Sequence, residues 1–168
     1  MFAPVRYNID VGLLTRAASR PLSFSFSCNL YILSAFTFFL LSDNLGNGCD
    51  EYYNWNFILQ DNGLSPWGWS QNALIQVNSK TREMRYTAEY YAYKHFSHFA
   101  TAGAKMIGYS GRETSKTPVV VFRKEKDIIV TAGNFTDEEQ HITVQVGKKF
   151  LNVTLHPHSF NTYVGKYF

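Results

Sequence analysis

Hydrophobic and polar positions change their rhythm several times along this chain. Residues 22–41, LSFSFSCNLYILSAFTFFLL, carry no charge, and Arg6, Arg16 and Arg20 precede them. An apolar-to-neutral run of this length can span a bilayer, so one reading is a signal anchor. A cleaved signal peptide fits less well, because the leading segment is long and no small-x-small site follows. A second reading is a buried helix or strand pair. A third is that residues 1–42 are foreign to the native chain and reflect how it was delimited.

From residue 43 the pattern shortens. EYYNWNFIL (51–59) is aromatic and apolar over the length of a buried strand. QDNGLSPWGWSQN then supplies Asn-Gly, Ser-Pro and Trp-Gly, the punctuation of a long loop. ALIQV (73–77) predicts a second short strand, closed by NSKT. Between Thr87 and Phe99 the period becomes helical: Ala88, Tyr91, Ala92, His95, Phe96 and Phe99 share one stripe. Thr87 suits an N-cap, Glu89 falls in the first turn, and Gly103 supplies a stop. Six short segments follow, KMIGYSG, TPVVVFRKE, DIIVTAGN, HITVQV, KFLNVTL and FNTYVG, separated by turn residues. Strands at that spacing predict an antiparallel sandwich.

Composition narrows the function classes. The chain has 168 residues, 45% hydrophobic and 17% charged, a globular balance for one ordinary domain. Net charge is +3, and the densest basic stretch, FRKEKD, is broken by Glu125 and Asp127. It reads as a solvated hairpin end, not a nucleic-acid interface. Cys28 and Cys49 form no CxxC pair, and no metal-ligand spacing stands out; neither a metal nor a cofactor is expected.

The candidate chemistry lies in YYNWNFILQDNGLSPWGW (52–69), where aromatics sit beside Asn, Gln and Gly as in the wall of a sugar site. Trp67 and Trp69, two apart, share a face in an extended loop, as stacking platforms or as a loop closure. Gln71 and Asn72 can bond sugar hydroxyls or tie loop to strand. Asn56 reads as structural. His95 and His98 read as packing and helix-end residues, and His156 and His158 as exposed. Asn134-Phe135-Thr136 and Asn152-Val153-Thr154 match the glycosylation pattern.

DNLGNGCDEYYNWNFILQDNGLSPWGWSQNALIQVN, followed by YYAYKHFSHFATAGAKMIGYSG, resembles the C-terminal part of glycoside hydrolase family 30, the group of glucosylceramidases and β-1,6-glucanases. The resemblance covers roughly residues 43–164, and SPWGWSQN is more like the glucanase branch. It implies an α+β fragment: the last β/α unit of a (β/α)8 barrel followed by an antiparallel β-sandwich. Residues 1–42 would be an unmatched segment. Residues 43–102 would hold the last strand, the cleft loop and the last helix, and 103–168 the sandwich. Chemistry in such barrels sits at the C-terminal ends of the strands. Trp55, Trp67, Trp69, Gln71 and Asn72 would then border the substrate cleft, with Trp55 facing the barrel mouth.

Retaining glycosidases use two carboxyl groups about 5 Å apart. The family resemblance implies glutamates on strands four and seven, upstream of the WN strand, yet the first glutamate here is Glu51. No catalytic residue is therefore assigned. The expected function is that of a C-terminal fragment of a retaining β-glycosidase, acting on glucosylceramide or β-1,6-glucan and inactive alone. Its partner would be a carbohydrate or glycolipid, reached through the missing barrel. The alternative is a non-catalytic carbohydrate-binding or β-sandwich interaction module, membrane-anchored through 22–41. A secreted or extracytoplasmic location follows from the resemblance.

Overall fold

The computed structural model describes residues 5–9, 14–17, 28–111 and 116–167. In chain order the elements are β1 (Val5–Ile9), β2 (Leu14–Ala17), α1 (Cys28–Gly46), β3 (Ile58–Gln60), β4 (Ile75–Val77), β5 (Met84–Tyr86) and α2 (Ala88–Ser97). Then come β6 (Lys105–Met106), β7 (Ser110–Gly111), β8 (Val119–Lys124), β9 (Asp127–Asn134), β10 (Gln140–Val146), β11 (Lys149–Leu155) and β12 (Ser159–Tyr167). This is an α+β fold of mostly antiparallel sheets and two helices.

The strands sort into sheets of order β11-β10-β1-β7, β2-β12-β9-β8-β6 and β3-β4-β5. The first two form the sandwich. Val119, Val121, Ile128, Val130 and Ala132 of the five-stranded sheet pack against Ile142, Val144 and Val146 of the four-stranded one. The opposite face of the five-stranded sheet, with Val120, Phe122, Ile129 and Phe160, receives Phe38 and Leu41 of α1 and Ala92 and Phe96 of α2. That sheet is thus buried on both faces, which is why VVVF and DIIV read as continuous apolar runs. β10 and β11 are covered on one face only, and their burial alternates. FRKEKD is a two-residue hairpin: Lys124 pairs with Asp127, and Glu125 takes a φ of 51°.

The predicted helix is present, with the Tyr90 N–H donating to the Thr87 hydroxyl at 3.3 Å. Ala88, Ala92, His95 and Phe96 are buried as its stripe predicts. His95 donates or accepts at Nδ1 with the Thr162 hydroxyl at 3.0 Å, and Thr162 and Thr131 direct their hydroxyls at the His95 carbonyl, at 3.2 and 3.4 Å. Burial, helped by Lys94, pushes the imidazole down to about 4. His95 is a packing residue that joins α2 to the sheet.

In the N-terminal part the described residues form two strands and a partly buried helix. β1 runs parallel to β10 and β2 antiparallel to β12, so both extend the sandwich. The composition break at Ser42–Asp43 falls inside α1, which continues to Gly46, with the Ser42 hydroxyl on the Phe38 carbonyl at 2.8 Å. Residues 22–27 of the apolar run lie outside the described residues. The remainder is α1, whose Ser34, Thr37, Phe38 and Leu41 are buried. Among the described residues, no helix is long and apolar enough to cross a membrane.

Two further corrections concern local elements. The strand predicted over 51–59 is formed only at Ile58–Gln60: the Asn56 and Phe57 carbonyls still accept from the Leu74 and Ile75 N–H groups, but no neighbouring strand flanks 51–55 among the described residues. Asn134 is buried, its Nδ2 donating to the carbonyls of Glu138, Leu155 and His156, so this sequon serves as a clamp between two turns. Asn152 is exposed, with Oδ1 accepting from the Thr143 hydroxyl.

Candidate functional site

The site grows from the segment 51–57 and the crossover 61–74 that joins the parallel strands β3 and β4. Tyr52 turns inward, its ring 5.9 Å from that of Tyr93 on α2. Asn56 turns inward too, its Nδ2 donating to the Gln71 side-chain carbonyl at 3.2 Å and to the Asn72 main-chain carbonyl at 3.1 Å. The intervening odd positions point away. Tyr53, Trp55 and Phe57 are 82%, 89% and 60% exposed. Trp55 is therefore not a core tryptophan. Its exposure also shows what the sequence reading missed: Tyr53 and Phe57 belong to the same face. The signal was the alternation in YYNWNF.

Beyond β3, Asp61–Gly63 form one 3-10 turn, with Asp61 accepting from the Ser79 N–H, a bond that lowers its carboxyl below the usual range. Gly63 has a φ of 72°, and a Cβ there would stand 2.1 Å from the Gln71 carbonyl oxygen. Only glycine lets the two stretches of loop meet, joined by the Gln71 N–H to the Gly63 carbonyl at 2.9 Å. The next residues, Ser65-Pro66-Trp67-Gly68-Trp69, make a hairpin turn. The Gly68 N–H donates to the Ser65 carbonyl at 3.0 Å, and the Ser65 N–H to the Trp69 carbonyl at 2.9 Å. Pro66 presets the turn and Gly68, at φ 86°, takes the left-handed position that follows it. Leu64 and Ser70 close it as a bridge.

This turn fixes two indoles on one side. Trp67 and Trp69 stack with centroids 5.4 Å apart and planes at 21°, and remain 73% and 55% exposed. Stacked on each other, they form one double-thickness platform, not two adjacent ones. Gln71 is half-buried and held by Asn56, so its side-chain oxygen ties loop to loop; Asn72 is exposed. Trp67, Trp69, Gln71 and Asn72 thus lie on the one connection, and Trp55 on the segment before β3, with Asn56 as the brace between the two.

The carboxyl groups nearby do not form a catalytic pair. Glu51 accepts from the Tyr53 hydroxyl at 2.6 Å, Asp61 is bound to Ser79, and both are exposed. Glu89 is raised by desolvation, but it sits between the helices with Thr37 as its hydrogen-bond partner. Three histidines bind other carboxylates: the exposed His156 and His141 flank Glu139 at 3.2 and 3.5 Å, and His158, which is half-buried and not exposed as expected, meets Asp137 at 2.8 Å. Among the described residues, no three His, Cys, Asp or Glu side chains are grouped to hold a metal ion.

No family profile matches the chain, and no curated protein matches it. Solved structures do. SrfJ from Salmonella typhimurium is 19% identical with a TM-score of 0.73, over 94% of this chain and 33% of that one. The endo-β1,6-glucanase BT3312 is 19% identical with a TM-score of 0.67, over 76% of this chain and 29% of that one. Xyn30A from Clostridium acetobutylicum, a glycoside hydrolase family 30 subfamily 8 xylanase, is 16% identical with a TM-score of 0.64, over 85% of this chain and 41% of that one. At these identities the likeness is one of fold. The chain resembles the C-terminal part of family 30 structures, and the span matched to SrfJ reaches into residues 1–42. It spans about a third of the length of the SrfJ chain.

Proposed function

We propose that this chain is the C-terminal portion of a retaining β-glycosidase acting on β-glucosides, of the β-1,6-glucan or glucosylceramide type and extracytoplasmic. Residues 51–58 act as the last strand of its barrel and residues 87–100, which contain α2, as its last helix. Trp55, Trp67, Trp69, Gln71 and Asn72 border the cleft. The observation that carries this reading is the exposed tryptophan set, Trp55 ahead of β3 and Trp67 and Trp69 on a connection held by Gly63, Gly68 and Asn56. An indole face packs against the apolar face of a pyranose, and a preformed platform lowers the ordering cost of binding. The two catalytic carboxylates belong to the part of the barrel outside this chain, so the chain alone binds sugar weakly and hydrolyses nothing.

The test uses a convenience of composition. The chain has three tryptophans, all in the candidate site, so three indole N–H resonances report on it. Titration with β-1,6-linked gluco-oligosaccharides should shift these signals at millimolar ligand, without bond cleavage. Trp67→Ala should remove the response while leaving the thermal midpoint unchanged, since the side chain is exposed. Indole signals that ignore every β-glucoside would refute the reading. Micromolar binding by the isolated chain would instead favour a free-standing carbohydrate-binding module.

A further inference from the structure

We infer that Asn152 is a site of N-linked glycosylation whose glycan covers Phe150 and the open margin of the four-stranded sheet, while Asn134, in the other matching tripeptide, stays unmodified. The co-reactant is a lipid-pyrophosphate-linked oligosaccharide of a secretory compartment. The Asn152 Nδ2 attacks the anomeric carbon of its first sugar. A carbon–nitrogen bond forms, the carbon–oxygen bond to the lipid pyrophosphate breaks, and one amide proton is released. Access to that compartment rests on the extracytoplasmic reading above; the choice between the two asparagines rests on their surroundings.

Those surroundings are opposite. Asn134 is fully buried at the end of β9. Its Nδ2 donates to the Glu138, Leu155 and His156 carbonyls at 2.8, 2.9 and 3.1 Å, and its Oδ1 accepts from the Thr136 hydroxyl at 2.8 Å. A glycosylated amide nitrogen keeps one of its two hydrogens, so a glycan there would break the clamp and force a bulky polar group into a buried site. Asn152 sits in β11, where burial alternates. Leu151 and Val153 pack on the sandwich core, and Phe150, Asn152 and Thr154 are exposed on the other face. Thr143, opposite Asn152 in the ladder, donates its hydroxyl to Oδ1 at 2.8 Å. That contact holds the amide by its oxygen, and among the described residues no hydrogen bond engages Nδ2.

Two features of β11 give a glycan something to cover. Phe150 is 62% exposed, and the rise of a strand sets it about 7 Å from Asn152 on the same face, within reach of the first pyranose. An aromatic ring packs against the apolar face of such a sugar. β11 also stands at the margin of its sheet, paired with β10 alone among the described residues. A margin strand with an exposed aromatic invites pairing with another chain, and a bulky hydrophilic group beside it blocks that approach.

The experiment produces the full chain behind a secretory leader in a glycosylating eukaryotic host. Secreted and cell-retained fractions are both treated with peptide N-glycanase in heavy-oxygen water, which turns each glycan-bearing asparagine into labelled aspartate. Peptide mapping should find the label at Asn152, and none at Asn134 in chain that unfolds cooperatively. Asn152→Gln should abolish the glycan without moving the thermal midpoint of chain made in a non-glycosylating host. The glycosylated chain should melt about 2 °C or more above that unmodified chain, a gap that Phe150→Ala closes. An unlabelled Asn152 in both fractions overturns the proposal, and so does label at Asn134 in the folded chain. A gap that survives Phe150→Ala overturns the covering role. None of these readouts uses a substrate sugar, so silent indole signals would remove the glycosidase reading and leave this site standing. An unmodified Asn152 with responsive indoles does the reverse.

Discussion

Phe38→Ala measures how firmly the N-terminal helix belongs to the fold. Phe38 is fully buried, its ring stacked on Phe160 at 4.6 Å and 8°, tilted against Phe96 at 5.0 Å and edge-on to Phe135 at 6.1 Å. Gly133 leaves room for it: a Cβ there would stand 3.1 Å from the Phe38 ring. Removing a phenyl ring from such a site costs about 3–5 kcal/mol through lost transfer energy and the cavity left behind. The stacked and edge-on contacts put this site toward the upper half, so about 4 kcal/mol is expected. For a chain of this length that lowers the thermal midpoint by about 8–16 °C. The assay is urea unfolding followed by tryptophan fluorescence and far-ultraviolet circular dichroism, with Ile32→Ala as control. Ile32 lies on the same helix but is exposed, so its truncation should stay within about 0.5 kcal/mol. A loss below about 1 kcal/mol for Phe38→Ala, matching the control, would show that α1 does not pack on the sheet as described.

Two other predictions concern stability and the loop. His95 is held at about 4, below its unfolded value of 6.5, because burial disfavours the charged ring. The unfolded state therefore binds more protons between these values: His95 leaves stability intact above about 6.5 and erodes it toward pH 4, by about 1.4 kcal/mol per unit at most. His95→Gln should flatten that window in a pH series of unfolding midpoints, and an unchanged slope would refute the assignment. In the loop, Gly63→Ala should release the stacked indoles and erase their exciton signal in circular dichroism, because the Gln71 carbonyl must move away from a Cβ at 2.1 Å. Gly68→Ala meets nothing within 4 Å and should cost only the left-handed backbone penalty, about 1 kcal/mol, with the signal kept.

Much of the fold was legible because its signals are local. The strands β8–β12 follow from apolar runs cut by turn residues, and α2 from a helical stripe with Thr87 at its head. The sugar-wall reading drew on residue type alone, and in the structure Trp67, Trp69, Gln71 and Asn72 share the connection from β3 to β4 while Trp55 lies ahead of β3. What the sequence could not reveal was decided by partners distant in the chain. β1 and β2 are strands because β10 and β12 offer them edges, and nothing in VRYNI or LTRA announces those partners. Residues 51–57 carry the composition of a strand, yet only the Asn56 and Phe57 carbonyls find a neighbour there, and no strand forms. The apolar run before Ser42 is ambiguous by composition, since a membrane and a protein core ask for the same side chains. The rings of Phe96 and Phe160 resolve it for Phe38, through contacts that only tertiary packing creates.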